Sequence, residues 1–446
     1  MRFNIDEIIK VTGAKLLHKA NTDGAFDIST DTRKITPDAA ADIIYLPLRG
    51  ENFDGHNFID KALENGARGY FTQEKYKVNT NADFVLYVEN TLVAYLCLAR
   101  YIREKINPKV IAITGSSGKT TTKEMLASVL ETTFKTHKSK LNHNNEIGLC
   151  ETMFSMPLDT EILVVEMGMR NLGEIQLLTG YSLPDAGIIT NIGSAHVERL
   201  GNLKNIAVAK CEIASNLKPD GIFIGKDCDI LNETLDYQGK KVLPKLSDCS
   251  DILIEIGKTE FDYAKDRFSL TVEGEYNIEN AMLVIEAAKW AGVSVDNIKK
   301  GLLNYKPIEK RWEITEINGL TIINDSYNAN PESMIAVLKT FLSVYKPPLA
   351  VVLGDMGELG KDEIAYHKKI GEFLSGYNDV KLLTVGELAK FISRGCSLKS
   401  EHFETKKDCA EYIKNNLEPG TTVLLKASRL MKFEEVIDML KNNAGG

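Results

Sequence analysis

The side chains best suited to phosphate chemistry lie in one glycine-rich segment, Ile113-Thr-Gly-Ser-Ser-Gly-Lys-Thr-Thr-Thr122. This segment follows a β-branched run and precedes an amphipathic stretch, Lys123 to Phe134. Glycines let backbone N–H groups close around phosphate oxygens, and the start of a helix adds its dipole. Lys119 can bridge terminal phosphates, and the hydroxyl of Thr120 can bind Mg²⁺. We therefore predict nucleotide contacts at Gly115, Ser116, Ser117, Gly118, Lys119, Thr120 and Thr121.

The spacing of this segment differs from the common Walker A pattern, which would place glycine at position 113, where the chain has isoleucine. The pattern is the shorter G-x-x-G-K-T-T. An ordinary Gly-Ser turn that caps a helix is the alternative interpretation. The Lys-Thr pair at the junction of a strand and a helix favours nucleotide binding over that alternative.

Two further groups lie where later strands end. Glu166 closes the run Val164-Val-Glu-Met-Gly168, and His196 lies in Thr190-Asn-Ile-Gly-Ser-Ala-His-Val-Glu198. Because ligands of open α/β sheets collect at the carboxyl ends of the strands, we expect both side chains near the phosphate loop. There they could hold a metal ion between nucleotide and acceptor. Taken singly, Glu166 would be a salt-bridge partner and His196 a hydrogen-bonded turn residue; their shared placement favours the functional interpretation.

Three other features are less specific. Lys210 lies in the helical stretch 206–213, where the pattern alone favours a surface lysine. Asp325 follows a strand at the position of a ribose-binding acid, although such loops also cap helices without binding a ligand. Gly354-Asp-Met-Gly-Glu-Leu-Gly360 has glycines at the wrong intervals for the G-x-G-x-x-G fingerprint, which argues against a dinucleotide cofactor.

Two series of apolar, β-branched runs separated by helical stretches must position these residues. The runs are 110–114, 162–166, 187–190 and 221–224, then 320–323, 350–353, 382–385 and 422–425. Such runs indicate parallel sheets covered on both faces. The amphipathic run 93–106 and Asn107-Pro108 mark the end of a smaller region before them. We predict an α/β protein of three domains: a small mixed α/β domain at 1–106, a central P-loop-type parallel-sheet ATPase domain at 107–310 and a C-terminal Rossmann-like α/β domain at 311–446.

Composition narrows the class of protein. A chain of 446 residues is too long for one ordinary core, and 43% hydrophobic with 26% charged residues is typical of soluble globular proteins. No apolar run approaches the roughly 18 residues that span a bilayer, and the first residues carry charges where a signal peptide would be apolar. Seven scattered cysteines argue against a disulfide framework and a zinc ribbon. A net charge of -8 indicates no nucleic-acid partner. We expect a cytoplasmic protein without membrane insertion.

Six segments together resemble the Mur ligase family. In chain order they are ITGSSGKTTT, VVEMGM, TNIGSAHVERLG, AVAKCEI, NDSYNANPESM and LLKASRLMKFE, and the resemblance covers essentially the whole chain. Each motif is moderately specific, whereas the ordered set is highly specific. Within the family, the segments 141–148 and 325–334 are most similar to the branch that joins D-alanyl-D-alanine to a UDP-N-acetylmuramoyl tripeptide. The D-N-P-R signature of the branch that adds meso-diaminopimelate is absent.

The resemblance implies an ATP-dependent amide ligase of peptidoglycan precursor synthesis, acting through an acyl phosphate. The implied catalytic residues are Lys119, His196 and Lys210, with one Mg²⁺ on Thr120 and Glu166 and a second on His196 and a carbamate of Lys210. Asn277, Asn280, Arg311 and Asp325 would also contact the nucleotide. Substrate contacts would be Thr30, Asp31, Thr32, Arg33, Arg49, Asn142, Asn144, Asn145, Tyr327, Asn328 and Asn330. The enzyme is expected to be a monomer whose N-terminal domain binds the UDP end and whose C-terminal domain binds the dipeptide.

Three positions depart from the family pattern. Tyr276 stands where the family usually has histidine, although an aromatic ring can still stack on adenine. Lys310-Arg-Trp312 replaces Gly-Arg-Gly, which keeps Arg311 but leaves its backbone less free. Ala427 replaces the glycine of a Lys-Gly-Ser-Arg pattern, which puts a close backbone approach there in doubt.

Two rival functions remain open at this point. A folylpolyglutamate synthetase would share the phosphate loop and Glu166, but not the UDP-end segments or the Asn-Ala-Asn-Pro loop. A nucleotide-gated binding module with a vestigial site would not need the intact set Lys119, Thr120, Glu166, His196 and Arg311. The sequence does not distinguish lysine from diaminopimelate at the third position of the tripeptide.

Overall fold

The computed structural model describes residues 1–36, 42–76, 78–140, 143–308 and 310–441. The chain divides into two compact units. The smaller comprises Met1–Val110, His137–Val165 and Gly180–Leu183, and the larger comprises Ile111–Thr136, Glu166–Thr179 and Pro184–Gly446. None of the helices in the described ranges is long and apolar enough to span a membrane.

The first hundred residues of the smaller unit form a mixed sheet with helices. The elements are α1 (Ile5–Thr12), β1 (Lys15–Lys19), β2 (Asp27–Ser29), β3 (Ile43–Tyr45), α2 (Ile59–Glu64), β4 (Gly69–Thr72), β5 (Phe84–Tyr87) and α3 (Thr91–Ile106). The strand order is β1-β5-β4-β3-β2, and only β1 pairs antiparallel. Helix α3 begins after Asn90, whose side chain accepts hydrogen bonds from the N–H groups of Leu92 and Val93. This region confirms the predicted helix that leads to Asn107.

The phosphate loop belongs to a series of short buried strands and helices. The elements are β6 (Lys109–Thr114), α4 (Lys119–Leu130), β7 (Thr136–Lys138), α5 (Glu146–Phe154), β8 (Ile162–Glu166), α6 (Glu174–Ser182), β9 (Ala186–Ile189), α7 (Val197–Leu200), α8 (Leu203–Cys211), β10 (Ile222–Gly225), α9 (Asp229–Thr234) and β11 (Lys240–Val242). In the larger unit, β11-β10-β9-β6 lie side by side in parallel. The Met167 N–H donates to the carbonyl of Ile113 at 2.8 Å, which places the end of β8 beside β6. The carboxyl ends of these strands therefore meet at one edge of the sheet.

An antiparallel meander, which the sequence analysis did not predict, follows in the larger unit. It consists of β12 (Cys249–Glu255), β13 (Lys258–Tyr263) and β14 (Asp266–Leu270), and is followed by α10 (Glu275–Ala291) and α11 (Val295–Asn304). In β13, Thr259, Phe261 and Tyr263 are buried and alternate with more exposed residues. That alternation is typical of a half-buried antiparallel strand, and it is the sequence pattern from which this strand could have been predicted.

The C-terminal part of the larger unit is a three-layer α/β arrangement. Its elements are β15 (Glu313–Ile317), β16 (Leu320–Asn324), α12 (Pro331–Val344), β17 (Leu349–Gly354), α13 (Glu363–Leu374), β18 (Val380–Val385), α14 (Lys390–Gly395), β19 (Ser400–Phe403), α15 (Lys406–Asn416), β20 (Thr422–Lys426) and α16 (Glu434–Lys441). The strand order is β15-β16-β20-β17-β18-β19, with only β15 antiparallel. Successive residues of β17, such as Val351 and Val352, belong to different core clusters. The sheet is therefore covered on both faces, as predicted.

The predicted strands of both α/β series are present with ends shifted by one or two residues. The α/β class with several sheets is confirmed. The three domains with boundaries near 107 and 310 stay a prediction, because a division into two compact units does not test them.

Candidate functional site

The phosphate loop lies between β6 and α4, and its two glycines have backbone angles that favour glycine. Gly118 has φ +76° and directly precedes α4, which begins at Lys119. A Cβ on Gly118 would lie 2.8 Å from Oδ1 of Asn280, and a Cβ on Gly115 would overlap the hydroxyl of Thr190. Glycine is therefore needed at both positions, because a methyl group has no room.

The segment after β9 holds this loop in place. Oδ1 of Asn191 accepts the N–H groups of Ser116 and Ser117 at 3.0 and 2.8 Å, and Nδ2 donates to the hydroxyl of Ser117 at 2.6 Å. The hydroxyl of Thr190 donates to the carbonyl of Ser117 at 2.5 Å. Ser116 and Gly193 exchange two hydrogen bonds of 2.9 Å. Residues 117–119 at the start of α4 are half-buried, whereas Gly115 and Ser116 are buried.

Lys119 folds back over the loop. Its Nζ donates to the carbonyl of Gly115 at 2.6 Å. Desolvation lowers the pKa of Lys119, while the negative charge of Glu166 opposes that shift. The neighbouring Thr121 hydrogen-bonds Tyr305, whose pKa is raised to about 12 by burial. A lysine held by one carbonyl can turn to a phosphate oxygen at small cost, because it exchanges one acceptor for another.

Thr120, Glu166 and Arg311 form the centre of the site, where Thr120 and Glu166 are buried and Arg311 is half-buried. The Thr120 hydroxyl donates to Oε2 of Glu166 at 2.9 Å, and Nη2 of Arg311 donates to the same hydroxyl oxygen at 3.1 Å. The fully buried Lys123 has its Nζ 3.1 Å from Oε1 of Glu124 and 3.8 Å from Oε2 of Glu166. Lys123 and Arg311 therefore place positive charge beside the Glu166 carboxylate and the Thr120 hydroxyl.

The oxygen atoms at this centre fit Mg²⁺. Among the described residues there is no group of three or more His, Cys, Asp or Glu that could hold a metal ion by themselves. Mg²⁺ in nucleotide sites needs only one or two protein oxygens, because phosphates and water supply the rest. The Thr120 hydroxyl and the Glu166 carboxylate meet that requirement.

Arg311 is presented by two residues in left-handed backbone. Lys310 has φ +62° and Trp312 has φ +58°, which are the positions where the family pattern has glycine. The Nζ of Lys310 lies 2.8 Å from Oε1 of Glu434, and Trp312 is buried in the C-terminal core. The Arg311 guanidinium lies 4.2 Å from the ring centroid of Tyr327. Side-chain contacts therefore hold a backbone shape that glycine would adopt without strain.

His196 lies on a turn held by two carboxylates. It has φ +67° and directly precedes α7. Its Nδ1 lies 2.5 Å from Oε2 of Glu358. The hydrogen bond from His196 lowers the pKa of Glu358. Glu332 accepts the Ser194 N–H at 3.0 Å and the Ser194 hydroxyl at 2.9 Å. The histidine is thus fixed to the segments that follow β16 and β17.

Lys210 is buried, contrary to the surface position that its pattern alone favoured. It lies on α8 with 1% of its surface exposed. Desolvation lowers its pKa well below the usual lysine range, and the positive charge of Lys119 adds to that shift. Within the described part of the chain, no carboxylate forms an ion pair with Lys210. A buried, unpaired amine is expected to be neutral, which is the form that reacts with CO₂.

The loop that follows β16 is organised by the buried Lys426. Its Nζ lies 2.5 Å from Oδ2 of Asp325 and 3.2 Å from the carbonyl of Asn328. Oδ1 of Asp325 accepts the Trp312 N–H at 3.2 Å. Asn330 caps α12 through the Ser333 N–H at 2.8 Å. The structure thus places Asp325 in an ion pair, and its predicted role at a ribose stays a prediction.

The residues predicted to contact the nucleotide near its adenine lie at the start of α10. Asn277 and Asn280 are buried, and Nδ2 of Asn277 donates to the carbonyl of Glu273 at 2.6 Å. Tyr276 packs against the C-terminal core cluster. Ala427 is fully buried, and a Cβ on Gly354 would lie 2.7 Å from its methyl group. The glycine at 354 therefore makes room for the alanine that departs from the family pattern.

The predicted contacts for the UDP-linked substrate lie in the smaller unit. Thr30, Asp31, Thr32 and Arg33 follow β2, and Asp31 pairs with Arg33 at 2.9 Å. Arg49 pairs with Asp54 at 2.7 Å. Asn144 precedes α5, and Asn145 caps it through the Gly148 N–H at 3.0 Å; Asn142 lies outside the described residues. Because Arg33 has 88% of its side chain exposed, it is available to a ligand.

Comparisons with known proteins give the family. The Mur ligase middle domain matches residues 113–288, and the Mur ligase glutamate ligase domain matches residues 310–429. The UDP-N-acetylmuramoyl-tripeptide–D-alanyl-D-alanine ligase of Bacillus subtilis is 38% identical over 97% of this chain and 96% of its own. The chain belongs to the Mur ligase family.

Two solved structures extend this likeness to the fold. MurF from Acinetobacter baumannii superposes with a TM-score of 0.89 at 26% identity, covering 99% of both chains. The MurF ligase of Thermotoga maritima in complex with ADP has a TM-score of 0.83 at 26% identity and covers 94% of this chain and 97% of its own. The family and the ADP complex of this relative support ATP use by the present Mur ligase, which agrees with the phosphate loop at 115–120.

The sequence analysis missed several residues of this Mur ligase that form hydrogen bonds or ion pairs with the predicted site residues and their loops. They are Lys123, Thr190, Asn191, Ser194, Glu332, Glu358 and Lys426. Thr190, Asn191 and Ser194 stand in the motif that contains His196, and Lys426 is the third residue of the last family motif, so the motifs carried a signal for them. Glu358 stands in the glycine-rich segment 354–360, which did not fit a dinucleotide fingerprint.

Proposed function

We propose that the protein joins D-alanyl-D-alanine to a UDP-N-acetylmuramoyl tripeptide at the expense of ATP, in peptidoglycan precursor synthesis. The observation that carries this proposal is the 38% sequence identity, over 97% of this chain, with a ligase named for that reaction. The cluster of Lys119, Thr120, Glu166 and Arg311 supports it. A vestigial binding module would not need this set of side chains, in which the Thr120 hydroxyl bridges the buried Glu166 and the half-buried Arg311.

In the first step, the terminal carboxylate oxygen of the tripeptide attacks the γ-phosphorus of ATP, and the bond to ADP breaks. Lys119 turns from the Gly115 carbonyl to the γ-phosphate, while Arg311 neutralises charge beside Thr120. Positioning and charge neutralisation supply most of the rate in phosphoryl transfer.

In the second step, the amine of D-alanyl-D-alanine attacks the acyl carbon. A tetrahedral intermediate forms, phosphate leaves with the electron pair of the C–O bond, and the amine loses a proton. Exclusion of water protects the acyl phosphate during this interval. The loops after β16 and β17, with Tyr327, Asn328 and Asn330, are proposed to bind the dipeptide.

Two Mg²⁺ ions complete the proposal. Thr120 and Glu166 hold one, and His196 and Lys210 hold the other, with Lys210 converted by CO₂ into a carbamate that offers oxygen ligands. When bound, the ions neutralise the phosphate charge. The buried, unpaired amine of Lys210 supports this proposal, because only the neutral amine forms a carbamate. Addition of ¹³C-bicarbonate should give a carbamate NMR signal that Lys210→Ala lacks; equal signals in both proteins would contradict the modification.

The decisive test is phosphate release from ATP with Mg²⁺ and the tripeptide, with and without the dipeptide. We expect release to need both substrates, to be lost in Lys119→Ala and to persist in Lys204→Ala, which removes an exposed lysine from α8. Both the lysine and the diaminopimelate forms of the tripeptide should be assayed. Dipeptide-independent release would contradict the assigned acceptor, and turnover with folate and glutamate would support the folylpolyglutamate alternative.

The oligomeric state and the compartment also belong to this proposal. We propose that the protein is cytoplasmic, because the proposed substrates are water-soluble nucleotides and peptides. We also propose that it is a monomer. Light scattering at the working concentration should give a mass near the 49.5 kDa of one chain. A mass twice that value would contradict the monomer.

A further inference from the structure

A loop of the C-terminal sheet touches the His196 turn at two points. The side chain of Glu358 lies 2.5 Å from Nδ1 of His196, and its carbonyl accepts the Glu198 N–H at 3.2 Å. A Cβ on the following Gly360, which has φ +62°, would lie 3.1 Å from Cα of Glu198. The backbones therefore approach closely, and Glu358 faces the histidine because the loop is packed against its turn.

The chemistry of this pair determines which ring nitrogen of His196 is available. Because a carboxylate only accepts hydrogen bonds, the 2.5 Å approach of Oε2 favours the tautomer that carries the proton on Nδ1. In the neutral ring the lone pair is then on Nε2, which makes no hydrogen bond with a described residue. Histidine ligands of metal ions commonly donate their other N–H to a carboxylate in this way, which fixes the ring and raises its basicity.

We infer that Glu358 is a positioning residue that fixes the tautomer and direction of the His196 imidazole for metal binding. This inference rests on the proposed function, since it takes His196 as a metal ligand. It also couples the two parts of the larger unit, because Glu358 comes from the loop after β17 and His196 from the loop after β9. Docking of the C-terminal loop would thereby complete the metal site.

The test combines metal affinity with a direct observation of the ring. Mn²⁺ binding, measured by electron paramagnetic resonance with a non-hydrolysable ATP analogue, should weaken about 10- to 100-fold in Glu358→Ala, the usual effect of removing such a partner. Glu358→Gln keeps a hydrogen-bond acceptor without the charge, so its Mn²⁺ affinity should lie between those of the wild type and Glu358→Ala. Glu387→Gln makes the same charge change at an exposed position in the turn after β18 and should bind Mn²⁺ like the wild type.

The ¹⁵N spectrum of the histidines, recorded without metal at a pH where imidazole is neutral, tests the tautomer separately. The His196 signal, assigned with His196→Gln, should show Nδ1–H in the wild type and a mixture in Glu358→Ala. An unchanged tautomer or unchanged Mn²⁺ affinity in Glu358→Ala would overturn the inference. Absence of dipeptide-dependent turnover in the wild type would overturn the proposed substrate but not this inference, which is measured without turnover.

Discussion

The phosphate loop and the turn at Arg311 meet at the hydroxyl of Thr120, and both use left-handed backbone to do so. The loop reaches this conformation with Gly118, at φ +76°. The turn reaches it with Lys310 and Trp312, at φ +62° and +58°. In the loop a side chain has no room, whereas in the turn two side chains have room and partners.

This difference teaches that the same backbone shape can be reached in two ways. Glycine adopts positive φ without steric cost, while another residue pays about 1–2 kcal/mol that other contacts must offset. At Lys310 an ion pair to Glu434 contributes to the offset, and at Trp312 the burial of an indole does. The turn is therefore expected to tolerate glycine, and the loop is not expected to tolerate alanine.

The largest expected effect is that of Gly118→Ala. The new methyl group would lie 2.8 Å from Asn280 and shift either the loop or α10, so we expect kcat/KM to fall by about 100-fold. ATP affinity from calorimetry should weaken in parallel. Gly173→Ala is the matched control, because Gly173 has φ +86° with nothing within 4 Å of a Cβ. Similar losses of activity in both variants would mean that backbone strain, not the clash, is responsible.

A smaller effect is expected from Lys310. Lys310→Gly removes the left-handed strain together with the ion pair to Glu434, so its free energy of unfolding should stay within about 1 kcal/mol of the wild type. Lys310→Ala loses the same ion pair but keeps the strain, and should be about 1 kcal/mol less stable than Lys310→Gly. Urea denaturation measures the difference. Equal stability of the two variants would show that the turn relaxes without glycine.

The smallest effect concerns the pH dependence of that ion pair. Burial acts to raise the pKa of Glu434, but hydrogen bonding and the charges of Lys310 and Arg429 outweigh it, so the pKa lies below its ordinary value. A lowered pKa means that the stabilisation is present above the usual glutamate range and is lost as the pH falls through the lowered value. The free energy of unfolding of the wild type should therefore exceed that of Lys310→Ala by less than about 1 kcal/mol at neutral pH, and this difference should disappear in acid. A gap that does not change with pH would contradict the ion pair as its source.

Short, ordered motifs made much of the site predictable. The strand before Gly115, the helix after Gly118 and the carboxylate at the end of β8 all follow from local periodicity and turn chemistry. Lys210 shows the limit of this reasoning, because a lysine in a helical stretch favours the surface until the packing around α8 is known. The meander β12–β14 was overlooked although its alternation is local.

The sequence by itself determined the α/β class, the positions of the strands, the phosphate loop and the family, because each depends on residues that are close together in the chain. Only the tertiary structure decided that Glu358 faces His196, that Lys426 pairs with Asp325 and that Arg311 reaches Thr120. These pairs are separated by 162, 101 and 191 positions, as their residue numbers show. No local pattern specifies such contacts, because they form only when the strands align at the edge of a sheet and the segments that follow them pack together.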